Sequence, residues 1–135
     1  MPAWLKNFGA FAVWSLVILM LFLIPGRFIP PIPDFYHLFK PDKIIHLVLF
    51  GVYTYLLMQS LRKQYGRGFL RYIGTIIALL TGIFYGAITE ILQYVLVINR
   101  SGNFYDFIAN SVGSLIGIGI FLIVLIKNNA KTNID

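Results

Sequence analysis

The residues able to do chemistry in this chain are few, and they fall at helical spacings. Asp42 and His46 are four apart, Glu90 and Gln93 are three apart, and Asp106 and Asn110 are four apart. Residues at these separations share one face of a helix. Lys43 and Arg100 are the nearby cations. Asp42, His46, Glu90 and Asp106 are the expected acid and base groups. Lys43 and Arg100 are suited to holding a phosphate oxygen, with Gln93 and Asn110 as further hydrogen-bonding contacts. The same four acid–base residues would also serve as ligands for a divalent cation. No dense ligand motif such as HExxH accompanies them, so no cofactor is expected.

The elements that must position these residues are transmembrane helices. The chain has 135 residues, 59% of them hydrophobic and 12% charged, with a mean hydropathy of +0.81. Soluble domains carry about twice that share of charge. Four apolar stretches, at approximately 8–24, 44–61, 72–98 and 104–126, each approach the ~20 residues that a spanning helix requires. A single all-α domain over 1–135 follows: a polytopic, compact four-helix bundle. The first stretch follows Lys6, as a signal peptide would, but Leu23-Ile24-Pro25-Gly26-Arg27 offers no small-x-small cleavage site. It is therefore read as a helix.

Charge sets the expected orientation. The N-terminal segment, the second loop and the C-terminal tail hold seven Lys and Arg residues; the first and third loops, with Lys43, hold four. The positive-inside rule then puts both termini in the cytoplasm, and the second loop (Arg62, Lys63, Arg67, Arg71) decides it. The net charge of +6 is spread in short runs between apolar stretches, the pattern of topology signals and anionic-lipid contacts rather than of nucleic-acid binding. With no cysteine, disulfides and thiolate chemistry are excluded. Walker, dinucleotide-binding and GxSxG motifs are absent too.

On this topology every polar group named above falls on the outer side of the membrane. Glu90 lies about 12 Å below Ile98, at ~1.5 Å per residue, and forms the expected floor of an outward-facing polar pocket. A charge at the bilayer centre costs ~3 kcal/mol on insertion scales and less near an interface, so Glu90 is expected to be neutral or paired with His46 or Arg100. Structural roles compete for the others. Asp42 and Asp106 suit helix N-caps; His46, Gln93 and Asn110 suit interhelical hydrogen bonds. Glu90 is the hardest to explain that way, because such bonding needs no carboxylate. The pairs Gly82/Gly86 and Gly113/Gly117 predict close packing of the third and fourth helices. Pro30, Pro31 and Pro33 bar a regular helix through the first half of the first loop, and Asp34–Phe39 is read as a short turn or helix lying on the outer surface.

Three of these segments resemble the signatures of the VanZ-like family, in order and each on the expected helix. They are Asp42-Lys43-Ile44-Ile45-His46, Tyr85-Gly86-Ala87-Ile88-Thr89-Glu90-Ile91-Leu92-Gln93, and Arg100 followed by Asp106-Phe107-Ile108-Ala109-Asn110-Ser111-Val112-Gly113. The loop 99–103 is a short version of the family's, and the first helix carries no signature. The resemblance implies a small four-helix protein of a bacterial cytoplasmic membrane, in a family whose founding member is associated with teicoplanin resistance. It implies no particular reaction. The expected partners are membrane lipids and a lipid-linked cell-wall precursor or glycopeptide. Whether the chain transforms such a headgroup, only binds it, or moves it as a homo-oligomer stays open at this stage. A transport route is least favoured, since no inverted repeat is evident and the inner helix halves hold no ionisable group.

Overall fold

The computed structural model describes residues 2–25, 41–97 and 104–132. Among them are four helices long and apolar enough to cross a membrane: α1 (Ala3–Phe22), α2 (Pro41–Tyr65), α3 (Thr75–Leu96) and α4 (Phe104–Thr132). They pack together with no strand among the described residues. The expected surface turn at 34–39 and the loop containing Arg100 lie outside the described residues.

α1, α2 and α4 each run past one or both ends of their apolar stretch, while α3 lies within its own, and the reason for the overrun is simple: a polar residue does not stop a helix unless it breaks the backbone. α1 begins five residues before its apolar stretch, through Lys6 and Asn7. α2 opens on Pro41, whose fixed φ suits a first helical position. It runs on through Arg62 and Lys63 until Gly66, whose φ of 81° is a backbone that glycine adopts without strain. A helical turn at Arg67–Phe69 and a π-helical turn at Leu70–Gly74 then lead into α3. In that wider turn the Thr75 hydroxyl donates to the Leu70 carbonyl at 2.7 Å.

Cross-helix contacts give the packing register. Phe22 against His46, Trp14 Nε1 donating to the Leu49 carbonyl at 3.1 Å, Phe11 against Tyr53 and Asn7 Nδ2 donating to Gln64 Oε1 at 2.8 Å run α1 antiparallel to α2. α2 and α4 run parallel, both starting at the end that holds His46, and make the most extensive contact in the bundle. α3 runs antiparallel to α4, with Gly86 at Asn110 and Gly82 at Ser114. Two apolar layers fill the interior. Ile18, Phe22, Leu49, Phe50 and Tyr53 lie beneath the His46 end, and Leu57, Met58, Leu61, Ala78, Ile118 and Phe121 fill the opposite end.

The glycine pairs divide their work differently from expectation. Gly82 and Gly86 do bring α3 onto α4, but Gly113 and Gly117 face α2. A Cβ on Gly113 would enter the Leu47 carbonyl, and one on Gly117 would enter the Gly51 carbonyl and Thr54 Oγ1. α4 sits between two neighbours and spends adjacent stripes on them: Gly113/Gly117 toward α2, Asn110/Ser114 toward α3. With lipid tails as the competing solvent, close van der Waals packing is the main force available to hold such a seam. Gly117→Ala is therefore expected to cost at least about 1–3 kcal/mol by overpacking. Gly9→Ala, whose Cβ would meet nothing within 4 Å, is expected to be neutral or slightly stabilising. Thermal unfolding of the two variants in detergent checks both.

Candidate functional site

The site is built where three helices expose polar residues to one another at one end of the bundle. α2 supplies Asp42 and Lys43 from its first turn and His46 from its second. α3 supplies Glu90 and Gln93 near its C-terminal end. α4 supplies Asp106 from its first turn and Asn110 from its second. Asp42 and Asp106 are inside the first turns, where a carboxylate also complements the positive end of the helix dipole.

Asn110 is the hub. It is wholly buried and reaches both neighbouring helices. Its Nδ2 donates to Glu90 Oε1 at 3.2 Å, and its Oδ1 stands 2.9 Å from His46 Nδ1. An amide that donates to the carboxylate must present its oxygen to the imidazole, so His46 Nδ1 carries a hydrogen and donates it. Glu90 Oε1 is also 3.4 Å from the same Nδ1. The imidazole is 1% exposed and stacks on the Phe22 ring, with centroids 4.6 Å apart at 27°. It is thus held by α4 and α3 through one nitrogen and by α1 through its face. Its other nitrogen, Nε2, points toward Asp42, 3.8 Å away, whose side chain is 53% exposed. Nε2 is thus the ring nitrogen on the side of the accessible Asp42.

A second pair lies beside this network. Lys43 Nζ donates to Asp106 Oδ1 at 2.8 Å and stands 5.6 Å from the Tyr105 ring centroid. Asp106 is buried, while the Lys43 side chain keeps 30% of its surface exposed. Gln93 is buried and donates from Nε2 to the Phe22 carbonyl at 3.3 Å, which ties α3 to the end of α1. Seven of the eight residues singled out from the sequence therefore meet at one end of the bundle; Arg100, the eighth, lies outside the described residues. They are packed against one another, and Asp42 and Lys43 form the accessible edge.

Asp42, His46 and Asp106 each bring one donor atom within 4.8 Å of the other two, a donor set that suits a divalent cation. The Lys43 ammonium already stands on Asp106, so a metal would have to share or displace it. Glu90 is on the Nδ1 side of His46 and lies outside that set.

Sequence reasoning missed Phe22, the platform for the imidazole, because α1 carries no signature and no polar residue between Ser15 and Phe22. It also missed the hydroxyl layer below Asn110. There Ser114 Oγ donates to the Asn110 carbonyl at 2.9 Å, and Thr54 Oγ1 donates to the Ser114 carbonyl at 2.9 Å. Both hydroxyls are wholly buried. Two i, i+4 steps separate His46 from Thr54, and one separates Asn110 from Ser114, a regularity that could have pointed to them.

These features define a polytopic helical membrane protein with a buried ionisable network at one end of its bundle. The family model for VanZ/LLP1 matches residues 4–125, and the chain belongs to that family. The match takes in α1, for which the sequence offered no motif. No curated protein and no solved structure matches the chain.

Asn110→Ala removes the group that pairs with both His46 and Glu90 and strands two buried polar partners. A loss of about 1–3 kcal/mol is expected. Thermal unfolding in detergent measures it, and a melting temperature equal to that of the unaltered protein would show that the hub carries no such weight.

Proposed function

We propose that this membrane protein binds the phosphate-bearing headgroup of an envelope lipid or lipid-linked cell-wall precursor at the Asp42–Lys43 edge, with His46 as the acid–base group. The observation that carries this reading is the fixed imidazole. Nδ1 is committed to Asn110 and Glu90, which leaves Nε2 to exchange a proton with a headgroup oxygen. Glu90 is the positioning carboxylate that would stabilise a cationic imidazole, and Asp42 lies where it can steer or share the proton. Lys43 supplies a cation for the phosphate; Arg100, outside the described residues, is the second cation that the sequence offers for it. Hydrolysis or transfer at the headgroup phosphate is the chemistry these groups suit.

The site faces the outside of the cytoplasmic membrane on this reading, because the Lys and Arg residues concentrate in the loop and termini at the other end. An occupant drawn from the outer leaflet fits that side. A precursor held there would be shielded from a glycopeptide such as teicoplanin, which accords with the resistance role that the family resemblance suggested.

Lipid mass spectrometry tests the proposal. Purified protein and its Glu90→Gln variant are incubated with polyprenyl phosphates, polyprenyl pyrophosphates and anionic phospholipids. The expected result is a new lipid product with the unaltered protein, reduced by about 100-fold or more in the variant, which loses the carboxylate that orients and supports the acid–base imidazole. Enrichment of one lipid without turnover retains the headgroup site and removes the catalytic role. Absence of both a product and any enrichment would overturn the reading.

A further inference from the structure

A second feature of the bundle has no part in the polar network. α2 and α4, running parallel, leave an apolar groove of about 400 Å³ along their shared seam. Leu47, Val48, Val52 and Tyr55 form one wall and Ile116 and Ile120 the other, with Gly51 and Gly117 also lining it. The volume falls in the range of small-ligand sites. The groove spans Leu47 to Tyr55 on α2, a length of about 12 Å along the helix.

The register of the two walls ties the groove to the site. Lys43, Leu47, Gly51 and Tyr55 are successive members of one i, i+4 row on α2. On α4, Ile116 lies eleven residues, or about three turns, after Tyr105, and Ile120 follows it by four. The rows that form the groove are thus headed by Lys43 and Tyr105, the pair whose ammonium and ring stand 5.6 Å apart. The lining of the groove begins at Leu47, one helical turn after Lys43, a cation that keeps part of its surface exposed.

We infer that this groove seats the hydrocarbon chain of the same phosphate-bearing lipid whose headgroup is held at Lys43. This rests on the headgroup reading above and adds the recognition of the tail. A second copy of the chain fits less well. The glycines of the seam are already consumed by the α2–α4 contact, and the walls carry the β-branched Val48, Val52, Ile116 and Ile120, which keep another helix backbone at a distance. A single hydrocarbon chain needs no such close backbone approach. Inside a bilayer its seating brings no hydrophobic gain, because lipid tails are its alternative surroundings. The groove therefore contributes shape, and the cation above it selects which lipids stay.

Native mass spectrometry of the full chain in detergent tests this with four ligands: dioleoyl phosphatidic acid, a long-chain polyprenyl phosphate, dihexanoyl phosphatidic acid and inorganic phosphate. Ile120→Trp fills the groove from a half-exposed, lipid-facing position outside the polar network, and Val48→Trp does so from the other wall. Either variant is expected to weaken the long-chain ligands several-fold while leaving dihexanoyl phosphatidic acid unchanged. Lys43→Gln is expected to weaken every phosphate lipid. The stronger of the two long-chain ligands identifies the source of the tail. Unchanged long-chain binding in both tryptophan variants, with the short-chain lipid bound equally well, would overturn the groove and leave the headgroup reading standing. No retention of any phosphate ligand would overturn the headgroup reading itself. A dimer in the unaltered protein that both tryptophan variants abolish would assign the groove to a second copy instead.

Discussion

The arrangement depends on one constraint: His46, Glu90 and Asn110 must satisfy each other, because they are buried away from water. An unpaired ionisable group in such a place costs several kcal/mol, and a group left alone by loss of its partner is the expensive case. Each of the three sits on a different helix, α2, α3 and α4. Their mutual satisfaction therefore sets the relative height and rotation of those helices at this end. α1 joins through contacts of another kind, the Phe22 ring on the imidazole and the Phe22 carbonyl accepting from Gln93.

Short side chains can meet this demand only if the backbones come close. Asn110 has two side-chain torsions and must reach both neighbours, which a separation set by bulky residues would not allow. The glycines supply that closeness. Gly86, one turn before Glu90, lies against the Asn110 side chain, and Gly113, one turn after Asn110, lies against the Leu47 carbonyl. Phe50, just below, fills the space between Phe22 and Tyr85, with ring centroids 6.2 and 6.1 Å away. Small residues at the seams and aromatic rings beneath the network are thus two halves of one solution, close approach where the polar groups meet and bulk where they do not. Tyr53 and Tyr85 continue it, stacked at 4.9 Å and 5°, with the Tyr85 hydroxyl donating to the Ser15 carbonyl at 2.6 Å.

Much of this was legible because helical spacing is a strong constraint. Asp42/His46, Glu90/Gln93 and Asp106/Asn110 could be placed on faces, and alternating helix direction brings those faces to one end. Their convergence needed no knowledge of side-chain contacts. The partner of each glycine pair was not legible, since Gly113/Gly117 could serve α2 or α3 equally well from the sequence. Phe22 was invisible for a related reason: an aromatic residue in an apolar helix looks the same whether it meets lipid or imidazole. The helix ends were misjudged where polar residues were taken as limits, as at Lys6 and Arg62, because hydropathy records the solvent and not the backbone.

The chemistry of the network bears on whether its purpose is only structural. Interhelical bonding in a membrane can be done by neutral side chains, and Gln93 and Thr54 do it here. A glutamine at position 90 could accept from Asn110 as the carboxylate does, without a buried charge. Replacing buried ion pairs with neutral groups is often neutral or stabilising. Retaining a carboxylate and an imidazole thus brings little stability that an amide could not supply. What an amide could not supply is a movable proton and a negative charge behind it. The imidazole is oriented by its inner nitrogen, backed by Glu90 and stacked on Phe22, while its outer nitrogen points to the one site carboxylate that is largely exposed. That polarity, inner nitrogen fixed and outer nitrogen facing an exposed carboxylate, is what supports a role beyond packing.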